Sequence, residues 1–340
     1  MKVKQYLTII AVIIGLSACS KPAQVEVLTG HAQGTIWHVS VWHHGDKALS
    51  ELRHNIETEF ARLDKALSNY RTDSTIESFN RSITLQPVVV GDEIPMLVTE
   101  ARVVSEASQG CYDLTIKPLF DVWGFKGDTL TPPSSETLSE LSKHLGFDKL
   151  SVTSNTQLQK NDPRVSIDLS SIAQGYSVGR IAKVVEDMGI QNYLVEIGGE
   201  LQTRGRKPDG SAWRIGLERP LPGGRTVQKT IVINQDKPIA IMTSGTYRHY
   251  FDDAGKRYSH VLDARTGAPV KHNTVSVTVI HDNPTQADAW STALLCLGVE
   301  QGMEIARQHD IAALFINVNS DELVESSTEA LFKLKNIQFK

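Results

Sequence analysis

An aspartate and a threonine, Asp288 and Thr292, lie four residues apart in the stretch ADAWSTALL. The apolar residues around them recur with the period of a helix, so the two polar side chains are predicted to share one helix face. A carboxylate and a hydroxyl are hard oxygen ligands, which suit Mg²⁺ or Ca²⁺ better than zinc. In the alternative interpretation, Asp288 stabilises the positive end of the helix dipole while Thr292 packs inward, and the pair taken alone favours that interpretation.

A second candidate is DLSSIAQGY, residues 168–176, where the predicted strand VSIDL (165–169) leads into a helix that begins at Ser170. The first turn of a helix carries unpaired backbone N–H groups, and the small side chains here would let an anionic or hydroxyl-rich ligand approach them. Alternatively, Ser170 is an ordinary N-cap and Asp168 bonds to a neighbouring loop. Taken alone, the segment favours this second interpretation.

Two further segments place polar side chains beside a turn or among aromatic rings. In YSHVLDARTG, residues 258–267, His260 and Asp263 could supply acid/base catalysis or a phosphate contact, although such a histidine is more often a strand residue with a backbone partner. In CYDLTIKPLFDVWGF, residues 111–125, Asp113 lies among rings that could stack on an aromatic ligand or form an aromatic core.

These segments belong to a chain in which helical and strand patterns interleave. Helices are predicted at residues 49–67, 95–108, 134–146, 170–189, 285–298 and from 302 onward. Strands are predicted at residues 34–42, 165–169, 192–199, 213–218, 229–235, 239–245, 258–263, 274–280, 312–317 and 332–339. Thr285 would be the N-cap of the fifth helix. Many mostly antiparallel strands with a few helices predict an α+β fold.

The first 18 residues predict a lipoprotein signal peptide. Two lysines precede a short apolar run, and the ending LSAC resembles a bacterial lipobox, which implies cleavage before Cys19 and lipid attachment to its thiol. Residues 19–29 would then form a tether and residues 30–340 the folded domain, anchored to a membrane outside the cytoplasm. The alternative is an ordinary secretory signal with an incidental cysteine.

Charge and cysteine content limit the possible partners and the redox setting. The formal net charge is −4, and removal of the two leader lysines would make it about −6. This acidic balance gives no support to nucleic-acid binding. Besides Cys19, the chain has only Cys111 and Cys296. They could form one disulfide in an oxidising compartment, but two buried free thiols fit the sequence at least as well.

Eight segments, in this order along the mature chain, resemble the ApbE family of FAD:protein FMN transferases. They are GTIW, LSNYRTDS, CYDLTIKPLFDVWGF, DLSSIAQGY, YLVEIGGEL, TSGTYRHYF, YSHVLDARTG and ADAWSTALLCLG. The resemblance implies an α+β fold of two interlocked subdomains with mostly antiparallel sheets and FAD bound between them. It also implies Mg²⁺-dependent transfer of the FMN half of FAD to a threonine or serine hydroxyl of an acceptor protein, with release of AMP.

The resemblance further implies where the protein works and on what. Typical acceptors of the family are flavin-carrying subunits of membrane redox pumps, such as the sodium-translocating NADH:quinone reductase and its relatives. The protein is therefore expected at the cell inner membrane, lipid-anchored on the periplasmic side.

Carried over by position, the resemblance implies a set of site residues. The flavin contacts would be Gln33, Tyr70, Cys111, Tyr112, Asp113, Asp168, Gln174 and Leu262. The metal ligands would be Ser171, through its main-chain carbonyl or its hydroxyl, together with Asp288 and Thr292. We hypothesise that the acceptor hydroxyl attacks the FMN phosphorus in line, and that His260 or Asp263 assists by proton transfer or phosphate contact.

The chain departs from the family pattern at four positions. Gln33 stands where relatives often have methionine, Gln174 where they have glutamate or lysine, and Lys117 where glycine is often found. Ser291 stands where some relatives have an aspartate, which leaves open whether the metal gains a second carboxylate.

Two other functions compete with FMN transfer. An FAD pyrophosphatase would use water in place of the acceptor hydroxyl and release free FMN and AMP. A non-catalytic flavin-binding lipoprotein would store or deliver FAD, but the proposed metal pair argues against it because storage needs no ion at the pyrophosphate.

Overall fold

The computed structural model describes residues 24–43, 49–125, 132–220, 226–246, 250–253, 256–319 and 322–340. The predicted signal peptide and the predicted lipidation site Cys19 lie outside the described residues, as does part of the segment TSGTYRHYF. Within the described ranges, no helix combines the length and the apolar character that a membrane span requires.

Eight α-helices form within these ranges. They are α1 (Leu49–Leu67), α2 (Thr75–Arg81), α3 (Glu93–Ala107), α4 (Lys117–Trp123), α5 (Ser135–Ser142), α6 (Ala173–Asp187), α7 (Pro284–Gln308) and α8 (Glu329–Lys333). The predicted amphipathic helix at residues 49–67 is confirmed as α1, since Leu52, Ile56, Phe60 and Leu63 bury one face at spacings of three and four.

The described strands are short and mostly antiparallel. They are β1 (Glu26–Ala32), β2 (Thr35–Trp42), β3 (Val88–Val89), β4 (Leu150–Ser154), β5 (Gln157–Lys160), β6 (Asn192–Ile197), β7 (Glu200–Arg204), β8 (Trp213–Glu218), β9 (Val227–Ile233), β10 (Ile239–Gly245), β11 (Tyr250–Asp253), β12 (Lys256–Ser259), β13 (Leu262–Asp263), β14 (Ala268–Pro269), β15 (Thr274–His281), β16 (Ala312–Asn319), β17 (Glu322–Ser327) and β18 (Ile337–Phe339). Eight of them form one antiparallel sheet in the order β1-β2-β6-β7-β10-β15-β16-β17.

The eight-stranded sheet is covered on both faces, which produces two apolar cores. Helices α6 and α7 pack on one face, where Val195, Met242 and Ala289 belong to one buried core. The small sheet of β8, β9 and β18 covers the other face together with α8, and there Leu201 packs with Ile231. Helices packed on a mostly antiparallel sheet confirm the predicted α+β fold class.

The predicted strand and helix around Asp168 need correction. Residues 165–169 are extended but pair with no other described strand, and helix α6 begins at Ala173 rather than at Ser170. The carboxylate of Asp168 accepts the backbone N–H of Ser170 at 2.9 Å and also the Ser170 hydroxyl. Ser170 therefore closes a turn with Asp168 and is not the cap of α6.

Three boundaries also differ from those predicted. The tether predicted to reach residue 29 is too long, because β1 begins at Glu26 and pairs with β2 along its whole length. Asn283, not Thr285, caps α7, since its side chain accepts the N–H groups of Thr285 and Gln286 at 2.9 and 3.3 Å. The two helices predicted around Gly298 run end to end as α7, with a kink at Gly298, where φ is +72°.

Two predicted strands are shorter than expected. The segment at residues 258–263 is divided between β12 and β13, with His260 between them. Of the segment at residues 332–339, only β18 forms a strand, because Thr328 caps α8 and draws Phe332 into that helix.

Candidate active site

Asp288 lies near the start of α7 and is almost fully buried, with 4% of its surface exposed. Its Oδ2 atom accepts a hydrogen bond of 2.7 Å from the backbone N–H of Gly175, in the first turn of α6. Burial raises the pKa of Asp288 to about 7, and the Gly175 hydrogen bond partly opposes that rise. No lysine or arginine in the described ranges is ion-paired with it. A bound cation would therefore offset the cost of burying its charge.

Gly175 allows α6 and α7 to approach closely at this point. A Cβ atom there would lie 2.4 Å from the Pro284 carbonyl oxygen and 2.5 Å from the Cβ of Asp288. Because both distances are far below van der Waals contact, a larger residue would push the helices apart. Gly175 thus allows the Asp288 carboxylate of α7 to lie against the start of α6.

Three hydroxyls form a hydrogen-bonded chain beside Asp288. Ser291 donates to the Asp288 carbonyl at 2.9 Å, and Ser244 lies 2.7 Å from Ser291 and 3.1 Å from Thr292. A hydroxyl has one proton, so Ser244 donates to Ser291 and Thr292 donates to Ser244. The proton of Thr292 points to Ser244 as a result, which leaves its oxygen lone pairs available to a cation.

The buried phenol of Tyr112 contacts the turn before α6. Ser171 donates to the Tyr112 hydroxyl over 3.3 Å, so the Ser171 oxygen also keeps its lone pairs. Burial, with the negative charges of Asp288, Asp113 and Asp168, raises the pKa of Tyr112 well above its usual range. Tyr112 therefore stays a neutral phenol close to three carboxylates.

Asp113 is held by the short 3₁₀ turn that it begins. Its Oδ1 atom accepts the backbone N–H of Thr115 at 2.8 Å and the Thr115 hydroxyl at 2.7 Å. The same hydroxyl accepts the N–H of Gly146 at 2.7 Å. Burial raises the pKa of Asp113, while the bonds from Thr115 lower it. The carboxylate orientation is thus fixed by a residue that sequence reasoning did not single out.

Two predicted flavin contacts, Gln33 and Gln174, lie around the first turns of α6. Gln33 and Gly34 have φ of +52° and +73° and connect β1 to β2, as in a two-residue type I′ hairpin. The side-chain amide of Gln33 donates to the Ser177 hydroxyl at 2.8 Å, and that of Gln174 donates to the Ile197 carbonyl at 2.7 Å. Both glutamines therefore connect the hairpin and the central sheet to α6.

Tyr70 and Leu262 differ sharply in exposure. The side chain of Tyr70 is 79% exposed, and partial burial of its hydroxyl together with the negative charge of Asp168 raises its pKa. Leu262 is buried in a small core with Leu119 and Trp123. Tyr70 thus offers an exposed ring to a ligand, whereas Leu262 is a buried core residue.

The two candidates for acid/base catalysis lie close together in sequence but in different settings. His260 is partly buried between β12 and β13. The carboxylate of Asp263 accepts the backbone N–H and the Nε of Arg265, both at 2.9 Å, and the Nη2 of Arg265 at 2.7 Å. The Asp263 carboxylate is therefore already engaged in organising the turn that follows it.

Cys111 and Cys296 form a disulfide, with their Cα atoms 6.1 Å apart. Of the two alternatives that the sequence left open, the cross-link is the one adopted. It ties the segment that carries Tyr112 and Asp113 to α7. A carboxylate oxygen of Asp263 and the two sulfurs lie within 4.8 Å of one another, but because the sulfurs are bonded together this cluster is not a metal site.

The three predicted metal ligands lie toward the N-terminal ends of α6 and α7, where the N–H of Gly175 bonds Asp288. Asp288 and Thr292 lie on one face of α7, and Ser171 lies in the turn before α6 and bonds the Tyr112 phenol. Their donor atoms are a buried carboxylate with a raised pKa and hydroxyls whose lone pairs are available. Hard oxygen donors of this kind fit Mg²⁺.

Sequence reasoning missed Ser244, Thr115, Asn69 and Asn80 in and around this site. Ser244 and Asn69 stand within segments already recognised, TSGTYRHYF and LSNYRTDS, but their side chains carried no spacing signal that would assign a role. These side chains bond residues more than forty positions away, Ser244 to Ser291 and Asn69 to Leu169, and a local sequence pattern does not indicate such partners.

Comparisons with known proteins agree on one family. The model of the ApbE family matches residues 33–315. The FAD:protein FMN transferase of Escherichia coli K12 is 36% identical over 304 residues, which cover 88% of this chain and 86% of that protein.

Solved structures resemble this chain over most of its length. The apo form of Pseudomonas stutzeri flavinyl transferase ApbE superposes with a TM-score of 0.83 at 37% identity, over 92% of this chain and 97% of that one. The flavin transferase ApbE from Vibrio cholerae gives a TM-score of 0.83 at 34% identity, over 92% and 99% of the two chains.

Proposed function

This chain belongs to the ApbE family, and from that membership we propose how it acts as an FAD:protein FMN transferase. A threonine or serine hydroxyl of the acceptor protein attacks the phosphorus of the FMN half of FAD. A new O–P bond forms to the acceptor, the P–O bond to the AMP half breaks, and AMP leaves. The single observation that carries the proposal is the buried Asp288 carboxylate with the oriented Thr292 hydroxyl one helical turn away.

Asp288, Thr292 and Ser171 would hold Mg²⁺ in this proposal. When bound, the ion supplies charge neutralisation at the pyrophosphate and stabilises the leaving AMP. Asp288 contributes the negative charge, and the hydroxyl chain through Ser244 keeps the Thr292 oxygen turned toward the site. Phosphoryl-type transfer depends mainly on such positioning and charge stabilisation, so the protein needs little covalent chemistry of its own.

His260 is the residue that we assign to proton transfer. The proton of the attacking hydroxyl would pass to its imidazole, which can accept a proton near neutral pH. Asp263 would instead hold the turn that follows it in place, because Arg265 donates hydrogen bonds to both of its carboxylate oxygens. Of the two candidates, we therefore propose His260 and not Asp263 as the proton acceptor.

The flavin would lie between the segment around Tyr112 and the segment around Asp168. Tyr70 would cover it with its exposed ring, and Asp113 would offer a fixed hydrogen-bond acceptor. Gln33 and Gln174 would contact the flavin from the opposite side of the turn before α6.

We place the protein at the inner membrane, anchored on the periplasmic side through lipid on Cys19. The disulfide between Cys111 and Cys296 supports export, because such bonds persist mainly in oxidising compartments. Flavin-carrying subunits of redox pumps such as the sodium-translocating NADH:quinone reductase are the acceptors that we propose.

The test is incubation of the purified protein with FAD and Mg²⁺, with and without a flavin-accepting subunit, followed by a denaturing gel. FMN transfer predicts flavin fluorescence that stays with the acceptor band and one AMP per flavin attached. Free FMN and AMP with an unlabelled acceptor would instead identify an FAD pyrophosphatase. FAD that remains intact with every component present would identify a storage protein.

A further inference from the structure

The segment that carries Asp168 is hydrogen-bonded like a sheet strand although side chains take the place of a neighbouring strand. The amide of Asn80 accepts the N–H of Ile167 at 2.7 Å and donates to the Ile167 carbonyl at 2.8 Å. The amide of Asn69 donates to the same carbonyl at 2.8 Å and accepts the N–H of Leu169 at 2.7 Å. All four bonds are buried.

The two amides copy the two kinds of sheet pairing. Asn80 exchanges both bonds with one residue, as in a hydrogen-bonded antiparallel pair, whereas the bonds of Asn69 go to the residues on either side of Asp168, as in a parallel pair. On its other edge, the N–H of Asp168 donates to the Leu114 carbonyl at 2.8 Å. The backbone of Asp168 is thus held from both sides.

Glu77 fixes the orientation of both amides. Its Oε1 atom accepts from the Nδ2 of Asn69 at 2.8 Å and from the Nδ2 of Asn80 at 3.0 Å. An ionised carboxylate only accepts hydrogen bonds, so rotating either amide by 180° would place two oxygens against each other. With 7% and 8% of their surfaces exposed, Asn69 and Asn80 have little access to water as a substitute partner.

We propose that Asn69 and Asn80 are positioning residues for FAD, which fix Asp168 relative to Tyr70 and to the turn that carries Ser171. Asn69 directly precedes Tyr70 in the chain, so its two bonds set the separation between Tyr70 and Asp168. The proposal rests on the proposed function, in which these two residues contact the flavin. Neither asparagine touches the substrate itself.

The variants Asn69→Ala and Asn80→Ala test this role against Asn317→Ala. Asn317 is a matched control because it is 6% exposed and its side chain bonds Thr274 at 2.7 Å, in the central sheet. Loss of either Asn69 or Asn80, the two clamp residues, is expected to raise the KM for FAD about tenfold while kcat changes less than about threefold. All three variants should show a lower Tm, but Asn317→Ala should keep the wild-type KM.

A second pair of variants keeps the test decisive if an alanine variant folds poorly. Asn69→Asp and Asn80→Asp retain size and one acceptor but lose the donors to Ile167 and Glu77, so they too should weaken FAD binding. FAD affinity is measured by flavin fluorescence without Mg²⁺ or acceptor. Equal FAD affinity in the clamp variants, the control and the wild type would overturn the positioning role. Failure of the wild type to label an acceptor would count against the proposed function alone.

Discussion

The hydroxyl of Thr292 lies 3.1 Å from the hydroxyl of Ser244, which in turn bonds Ser291 at 2.7 Å. This relationship joins strand β10 to helix α7 and directs the Thr292 proton away from the proposed ion. A side chain on the sheet therefore determines whether the second helix ligand presents lone pairs or a proton.

Ser244→Ala should weaken Mg²⁺ binding without removing a ligand. The Thr292 hydroxyl would lose its acceptor and rotate freely, so the Mg²⁺ concentration for half-maximal activity should rise about tenfold. The measurement is a Mg²⁺ titration of FMN transfer at saturating FAD. Ser276→Ala on neighbouring β15 is the control, and an unchanged titration for Ser244→Ala would mean that Thr292 is not oriented in this way.

His260→Ala and Asp263→Asn should differ in their effect on turnover. Loss of a general base lowers kcat about a hundredfold or more, whereas Asp263→Asn should reduce kcat less than about tenfold because it perturbs only the turn held by Arg265. Single-turnover transfer at saturating FAD measures both. The reverse order of effects would move the proton-accepting role to Asp263.

Removal of the disulfide should destabilise the protein considerably. The two cysteines are 185 residues apart, and the chain-entropy model gives about 5 kcal/mol for a loop of that size. For a domain of this length, that loss corresponds to a fall in Tm of several degrees. Calorimetry of Cys111→Ala/Cys296→Ala measures it. A reductant should lower the Tm of the wild type and leave that of the double variant unchanged, and equal responses would contradict the assignment.

Lys160 should make stability rise with pH in the alkaline range. Burial lowers the pKa of Lys160 to about 8 from its ordinary value of 10.5. Between these values the unfolded chain binds more protons than the folded protein, so raising the pH stabilises the fold. The gain should reach about 2 to 3 kcal/mol near pH 10.5.

Urea unfolding of the wild type and Lys160→Met from pH 7 to 10.5 checks this expectation. The difference in unfolding free energy between the two should grow with pH in favour of the wild type. Parallel curves would show that Lys160 is charged throughout the range, stabilised by its bonds to the Asn80 and Ser82 carbonyls at 2.9 Å.

Local periodicity was enough to predict the elements whose stability comes from one buried face. Helix α1 and strand β2 are confirmed because their apolar residues recur at the helix and strand periods. Residues 165–169 also have a strand-like apolar pattern, but their partners are the amides of Asn69 and Asn80, 98 and 87 positions earlier than Ile167. Single-sequence periodicity carries no information about such partners.

The candidate site was only partly predictable for the same reason. The four-residue spacing of Asp288 and Thr292 placed both on one face of α7, as expected. Ser170 was predicted to cap α6. Instead, its backbone N–H donates to the Asp168 carboxylate two residues earlier, which forms a turn, and α6 begins only at Ala173. The pairing of the two cysteines could not be decided from composition, because it depends on how the segment at 111–113 packs against α7.

The most direct test of the central claim is FMN transfer by Asp288→Asn as a function of Mg²⁺ concentration. Asparagine keeps the shape of the side chain and an acceptor for the Gly175 N–H but removes the negative charge that would hold the ion. The matched control is Asp236→Asn, which changes an aspartate whose side chain is 80% exposed. We predict that Asp288→Asn folds, that its acceptor labelling falls at least about a hundredfold, and that added Mg²⁺ does not restore it. Wild-type labelling with an unchanged Mg²⁺ titration in Asp288→Asn would contradict the role of Asp288 as a metal ligand.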